Sequence, residues 1–137
     1  MYRRVINHCD RCAILFIIDC SLSMKEITRY GYTEMPKIDA AAFIVNFMIE
    51  ELLARATRYA NVRDYYDIGV IGYSGNEAFS LLDNSDYERV FMNTPRIADT
   101  MPQPRGVEIN VRDYDGTIHT ETFNTHFWAD PTASGAS

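Results

Sequence analysis

Apolar positions along the chain fall into four blocks of different periodicity. The first, Ala13–Ile18 (AILFII), is continuous and ends abruptly at Asp19. A short run without alternation predicts a strand buried on both faces, as in the middle of a mostly parallel sheet. The second block begins at Pro36, which suits a first helical turn because its missing N–H has no partner there. Ile38, Ala41, Ala42, Val45, Met48, Ile49, Leu52, Leu53 and Ala56 then recur at helical spacing. Phe43, Ile44 and Phe47 widen that face, which predicts a helix covered on more than one side, with Glu50, Glu51, Arg55 and Arg58 wet. The third block, Asp67–Tyr73, reads as another buried strand. Ser74-Gly75-Asn76 turns it and Ala78–Leu82 returns, predicting a hairpin. In the fourth, Val107, Ile109 and Val111 alternate with polar residues. Asp115-Gly116 is a hairpin turn and Thr117–Phe123 supplies the partner strand, an added β-hairpin within 107–128.

The stretches between the blocks read as connections. Lys25–Met35 is a loop of mixed charge carrying Tyr30 and Tyr32, which face either a partner or the helix. Asn61–Tyr66 is polar. Asp83–Arg105, with three prolines, reads as surface connection with a short helix over Tyr87–Met92.

A length of 137 residues predicts one domain, able to bury roughly two thirds of its unfolded-chain surface. A net charge of −6 argues against nonspecific binding to nucleic acid or to an anionic membrane, which takes a basic face. The run Ile14–Ile18 is too short to span a membrane and does not read as a signal-peptide core. Three cysteines make no disulfide framework, so a reducing, cytoplasmic location is expected. Cys9 and Cys12, with His8 adjacent, have the spacing of half a zinc site. No second ligand pair accompanies them in the sequence, and structural thiols are the expectation.

Candidate chemistry gathers at the end of the first block. In open parallel sheets ligands sit beyond the carboxyl ends of strands. There Asp19, Ser21 and Ser23 offer one carboxylate and two alcohols, hard oxygens suited to Mg2+, Mn2+ or Ca2+. The plain alternative is that Asp19 caps the following turn while the hydroxyls bond nearby backbone.

Asp19-Cys20-Ser21-Leu22-Ser23 fits Asp-x-Ser-x-Ser and follows an apolar strand, with a long helix and a strand pair after it. In that order these features resemble a von Willebrand factor type A domain with its metal-ion-dependent adhesion site. The resemblance covers Arg11 to Leu82. It implies a three-layer α/β/α, Rossmann-like fold with a mostly parallel central sheet and the C-terminal part missing. It further implies Asp19, Ser21 and Ser23 as ligands of Mg2+ (or Mn2+ or Ca2+), and recognition of an Asp or Glu of a protein partner. Gly135-Ala136-Ser137 resembles the family's later Gly-x-Thr context, which makes Ser137 a further candidate ligand; the alternative is a plain small-residue terminus. Leu22 stands where the family more often has glycine. A later acidic ligand of the family has no counterpart here, so the site is expected to hold its cation weakly or to stay empty.

Recognition without catalysis is therefore the expected function. One alternative is Mg2+-dependent phosphoryl-transfer hydrolysis, which calls for a second acid near Asp19, although position 21 is serine. Gly72-Tyr73-Ser74-Gly75 comes near a serine-hydrolase elbow, but Asn76 replaces the final glycine and no long helix follows. The other alternative is a metal-independent assembly module that self-associates through an open sheet edge.

Overall fold

The computed structural model describes residues 12–82 and 90–131. The first apolar block forms strand β1 (Cys12–Asp19), followed by a short 3-10 turn, Leu22–Lys25. A hairpin of β2 (Ile27–Tyr30) and β3 (Thr33–Pro36) leads into helix α1 (Lys37–Ala56). Two short strands, β4 (Thr57–Arg58) and β5 (Asn61–Val62), precede β6 (Tyr66–Ser74) and β7 (Glu77–Ser80). Strand β8 (Phe91–Asn93), helix α2 (Thr94–Asp99) and the long strands β9 (Pro104–Arg112) and β10 (Ile118–His126) complete the series.

Strands β1 and β6 run parallel, with Ile14 opposite Ile68 and Ile18 opposite Gly72. Both other neighbours of β6 are antiparallel: β7 along its second half and β8 along its first. Helix α1 crosses one face of this sheet. Ile38, Val45, Ile49 and Leu53 from the helix pack with Ile18, Ile68, Val70 and Met92 from the sheet, and Ile97 and Trp128 close the core. The Trp128 indole N–H donates to the Ile97 carbonyl at 2.9 Å, which satisfies the polar atom of a buried ring.

The described residues do not form a three-layer α/β/α, Rossmann-like fold. They are β-rich, with a single parallel pairing, three two-stranded antiparallel sheets and two α-helices, of which α2 has six residues. The expectation failed at β1. Its burial alternates: Ile14, Phe16 and Ile18 turn towards α1, whereas Leu15 and Ile17 are 41% and 63% exposed. A continuous apolar run signals a doubly covered strand only where a second layer exists, and apolar side chains are not bound to be buried. The resemblance to a von Willebrand factor type A domain fails with it, because the parallel sheet and flanking helical layers it implied are not the architecture observed.

Other elements match the apolar pattern more closely. The helix expected from Pro36 is α1, with Pro36 at its N-cap. The turn expected at Ser74–Asn76 joins β6 to β7, with Gly75 at φ +59° in the left-handed region. The C-terminal hairpin is present, with Arg112 opposite Ile118. Its connection spans 113–117: Asp113 N–H donates to the Thr117 carbonyl at 2.9 Å, and Gly116 takes φ +86°. Two stretches differ. The expected loop Lys25–Met35 contains the β2–β3 hairpin, turned at Gly31 (φ +60°). The helix expected over Tyr87–Met92 is replaced at its described end by β8, and the helix of that region is α2, capped by Asn93 Oδ1 accepting from Arg96 N–H at 3.0 Å.

The C-terminal hairpin docks on α1 rather than standing free. Glu50 Oε1 accepts from His126 N–H at 3.1 Å and lies 2.6 Å from His126 Nδ1. On the other side, Thr33 Oγ1 accepts from Asn110 N–H at 2.7 Å, tying β3 to β9.

Candidate functional site

The predicted cluster sits where β1 ends against β6. Asp19 lies opposite Tyr73, and Cys20 N–H donates to the Tyr73 carbonyl at 2.8 Å, extending the strand pairing one residue. The chain then turns sharply into the 3-10 segment. Cys20 is buried, and its thiol fits because position 72 has no side chain: a Cβ on Gly72 would lie 2.8 Å from both Cys20 Sγ and Phe79 Cε2. Burial pushes the Cys20 thiol up, which disfavours the reactive thiolate form.

Above that thiol, three oxygen-bearing side chains come together. Asp19 Oδ1 accepts from Ser21 N–H at 2.9 Å, and the Ser21 and Ser23 hydroxyls are 3.0 Å apart. The backbone N–H of Ser21, followed by its hydroxyl, holds the Asp19 carboxyl below the usual carboxylate range. Ser21 caps the 3-10 segment in extended conformation, its carbonyl accepting from Met24 N–H at 3.0 Å. Each partner lies within the turn itself, which is the local capping arrangement that Asp and Ser favour after a strand.

Among the described residues, no group of three or more His, Cys, Asp or Glu side chains could hold a metal ion. The identification of an adhesion-type metal centre is thus corrected along with the fold on which it rested. Asp19, Ser21 and Ser23 are neighbours, while Ser137 lies outside the described residues, as do His8 and Cys9. Cys12 and Cys20 are free thiols.

The serine-hydrolase elbow is not formed. Ser74 ends β6 at a strand-to-strand turn, where the elbow needs a strand-to-helix turn. The two described histidines face carboxylates elsewhere: His126 meets Glu50, and His119 lies between Asp113 and Glu121 at 3.1 and 2.9 Å. Of the two tyrosines beside the strand tip in sequence, Tyr30 packs edge-on against Phe43 of α1 at 5.7 Å, and Tyr32 is exposed.

Two surfaces were not identified from sequence. One is the sheet face opposite α1. Directly paired residues share a face, so Leu15, Ile17, Ile71, Tyr73 and Phe91 lie together on it. Leu15, Ile17, Tyr73 and Phe91 are exposed. The other is a cleft of about 730 Å³ between the start of α1 and the C-terminal hairpin, lined in part by Met35, Asp39, Phe43, Glu108 and Phe127. Its walls come from segments some seventy residues apart, beyond the reach of local periodicity.

Comparison with known proteins adds little. No family model matches the chain, and no curated protein matches it. A crystal structure of an uncharacterized membrane-spanning protein from Vibrio fischeri is similar at 15% identity and a TM-score of 0.40, covering 93% of this chain and 89% of that one. A likeness that loose fixes neither topology nor function. No helix among the described residues is long and apolar enough to cross a membrane.

Proposed function

We propose that this chain is a protein-interaction module that associates with a second copy of itself along the outer edge of β1. The observation that carries this reading is Ile17, 63% exposed on a strand paired along one edge only among the described residues. From Cys12 to Ile18 the strand has no charged residue and no proline, the usual devices that keep an edge from pairing. Antiparallel pairing about a two-fold axis would set this run against itself, apolar side chain opposite apolar side chain. The test is light scattering on protein eluting from a size-exclusion column, with analytical ultracentrifugation over a concentration series. Wild type is expected to dimerise with rising concentration and Ile17→Lys to stay monomeric with unchanged circular dichroism. A wild type that remains monomeric throughout overturns the reading.

A second reading rests on the convergence of Asp19, Ser21 and Ser23. A divalent cation, Mg2+ first, would take these hard oxygens as ligands in a turn that is not the type A adhesion site. Neither reading involves catalysis. Titrating Mg2+ while following the amide resonances of 19–23 tests it, with Asp19→Ala as control. Saturable shifts in wild type that vanish in the variant support it, and their absence removes it.

A further inference from the structure

We infer that Asp19 fixes the register in which two copies pair along β1, with the two-fold axis passing through Leu15. The inference rests on the edge association proposed above and names the residue that makes it specific. Backbone polar groups of successive strand residues point to opposite sides. Cys12 N–H donates to the Tyr65 carbonyl at 3.1 Å and Cys20 N–H to the Tyr73 carbonyl at 2.8 Å, so the even-numbered residues of β1 bond to β6. Ala13, Leu15, Ile17 and Asp19 therefore aim their backbone groups at the other edge, where β1 has no paired strand among the described residues. An antiparallel second copy must set its own odd-numbered residues opposite these, so the permitted registers lie two residues apart.

Those registers are not equivalent. With the axis at Leu15, Ala13 lies opposite Ile17 of the second copy and Leu15 opposite its own counterpart. Asp19 then falls beyond Cys12 of the second copy, at the rim. Every outward apolar residue of the strand has an apolar partner in this arrangement. A slide of two residues one way sets Asp19 against Ala13 and draws its carboxylate into the apolar row, which is unfavourable without a donor to meet it. The opposite slide leaves Ile17, 63% exposed, beyond Cys12 of the second copy and without that partner. The inner side agrees with the Leu15 axis. Ile14 and Phe16 face α1 yet are only half-buried. The axis sets Ile14 directly against Phe16 of the second copy in a non-hydrogen-bonded pair, the closer kind, with Cα atoms about 4.5 Å apart.

The register is read by isotope-filtered NOE spectroscopy on a mixture of labelled and unlabelled full chain, at a concentration where ultracentrifugation shows the dimer. The Hα of Ile14 is expected to contact the Hα of Phe16 in the other copy, a contact that no other permitted register makes. In Asp19→Leu no charge opposes the slide, so a second contact, between the Phe16 Hα protons of the two copies, should appear. Asp19→Asn keeps an oxygen for the Ser21 N–H and gives the same readout if the leucine variant loses its circular dichroism. A wild-type dimer whose β1 contacts are other than Ile14 with Phe16 overturns the inference and leaves the edge association standing. Variants that keep the single wild-type register also overturn it, because the carboxylate then does not set the alignment. A wild type that stays monomeric, or a dimer with no contact between β1 strands, removes the association itself, so the two failures are distinguishable.

Discussion

Asn46 holds Ala129 by both of its backbone polar groups. The Asn46 carboxamide donates to the Ala129 carbonyl at 2.6 Å and accepts from the Ala129 N–H at 3.0 Å. Its second amide proton reaches the Ala42 carbonyl of its own helix at 2.8 Å. Asn46 is fully buried on a helix face that is otherwise apolar. It explains how an irregular segment after β10 can enter the core without orphaned backbone groups. Leu82, bridged to Ala129, belongs to the same junction.

Removing that clamp should be costly. Asn46→Ala leaves a buried N–H and a buried carbonyl of Ala129 without partners, each worth about 1–3 kcal/mol. Asn46→Leu restores apolar volume but not the bonds, so it should not recover the loss. Urea denaturation is expected to show both variants less stable by about 2–4 kcal/mol. A change under about 0.5 kcal/mol, the range of an ordinary surface substitution, would contradict this role.

Gly72 and Cys20 should be coupled. An alanine at position 72 presses its Cβ on Cys20 Sγ and on Phe79, with Leu81 at 3.1 Å. Overpacking of this kind costs about 1–3 kcal/mol. In a Cys20→Ala background the same substitution should cost less, because one of the two closest atoms is gone. A double-mutant cycle measures this directly, and strict additivity would show that the turn after β1 is not packed as described.

The C-terminal hairpin should be sensitive to pH through His119. The hydrogen bond to Glu121 raises its pKa, desolvation opposes it, and the charges of Asp113 and Glu121 add to the rise. A histidine with a raised folded-state pKa binds its proton more tightly when folded. Its contribution is therefore complete below the unfolded value of about 6.5 and is lost as pH rises through the raised folded value. His119→Gln should flatten that part of the stability profile. Titration of the His119 ring by proton NMR should give a midpoint above that of an unstructured histidine, and a midpoint at or below it would refute the assignment.

Ile17 tests the outer sheet face apart from stoichiometry. If β1 pairs with a second copy, amide exchange of Ala13–Ile18 should slow as protein concentration rises, while exchange at the distant 113–117 turn stays constant. Uniform behaviour at both places would point to a contact elsewhere.

Much of the local structure was legible. The helical spacing from Ile38 to Ala56, the glycine turn at Gly75 and the alternation before Asp115-Gly116 each depend on short-range geometry, and each reappears as an element. The β2–β3 hairpin was hidden because Gly31 is flanked by only a few apolar residues, and its anchoring is supplied from elsewhere by Asn110. The cluster at Asp19 was legible as a set of neighbouring oxygens. Its bonds run to its own turn, a distinction that residue types at fixed spacing cannot make.

By itself the sequence determined where the helix, the main strands and the turns fall, because periodicity and left-handed glycines act over a few residues. Tertiary structure alone decided which face of β1 is covered, that β6 takes antiparallel neighbours on either half, and that Asn46 meets Ala129. Those outcomes turn on whether a second layer packs against the sheet, and packing between distant segments leaves no mark in local spacing.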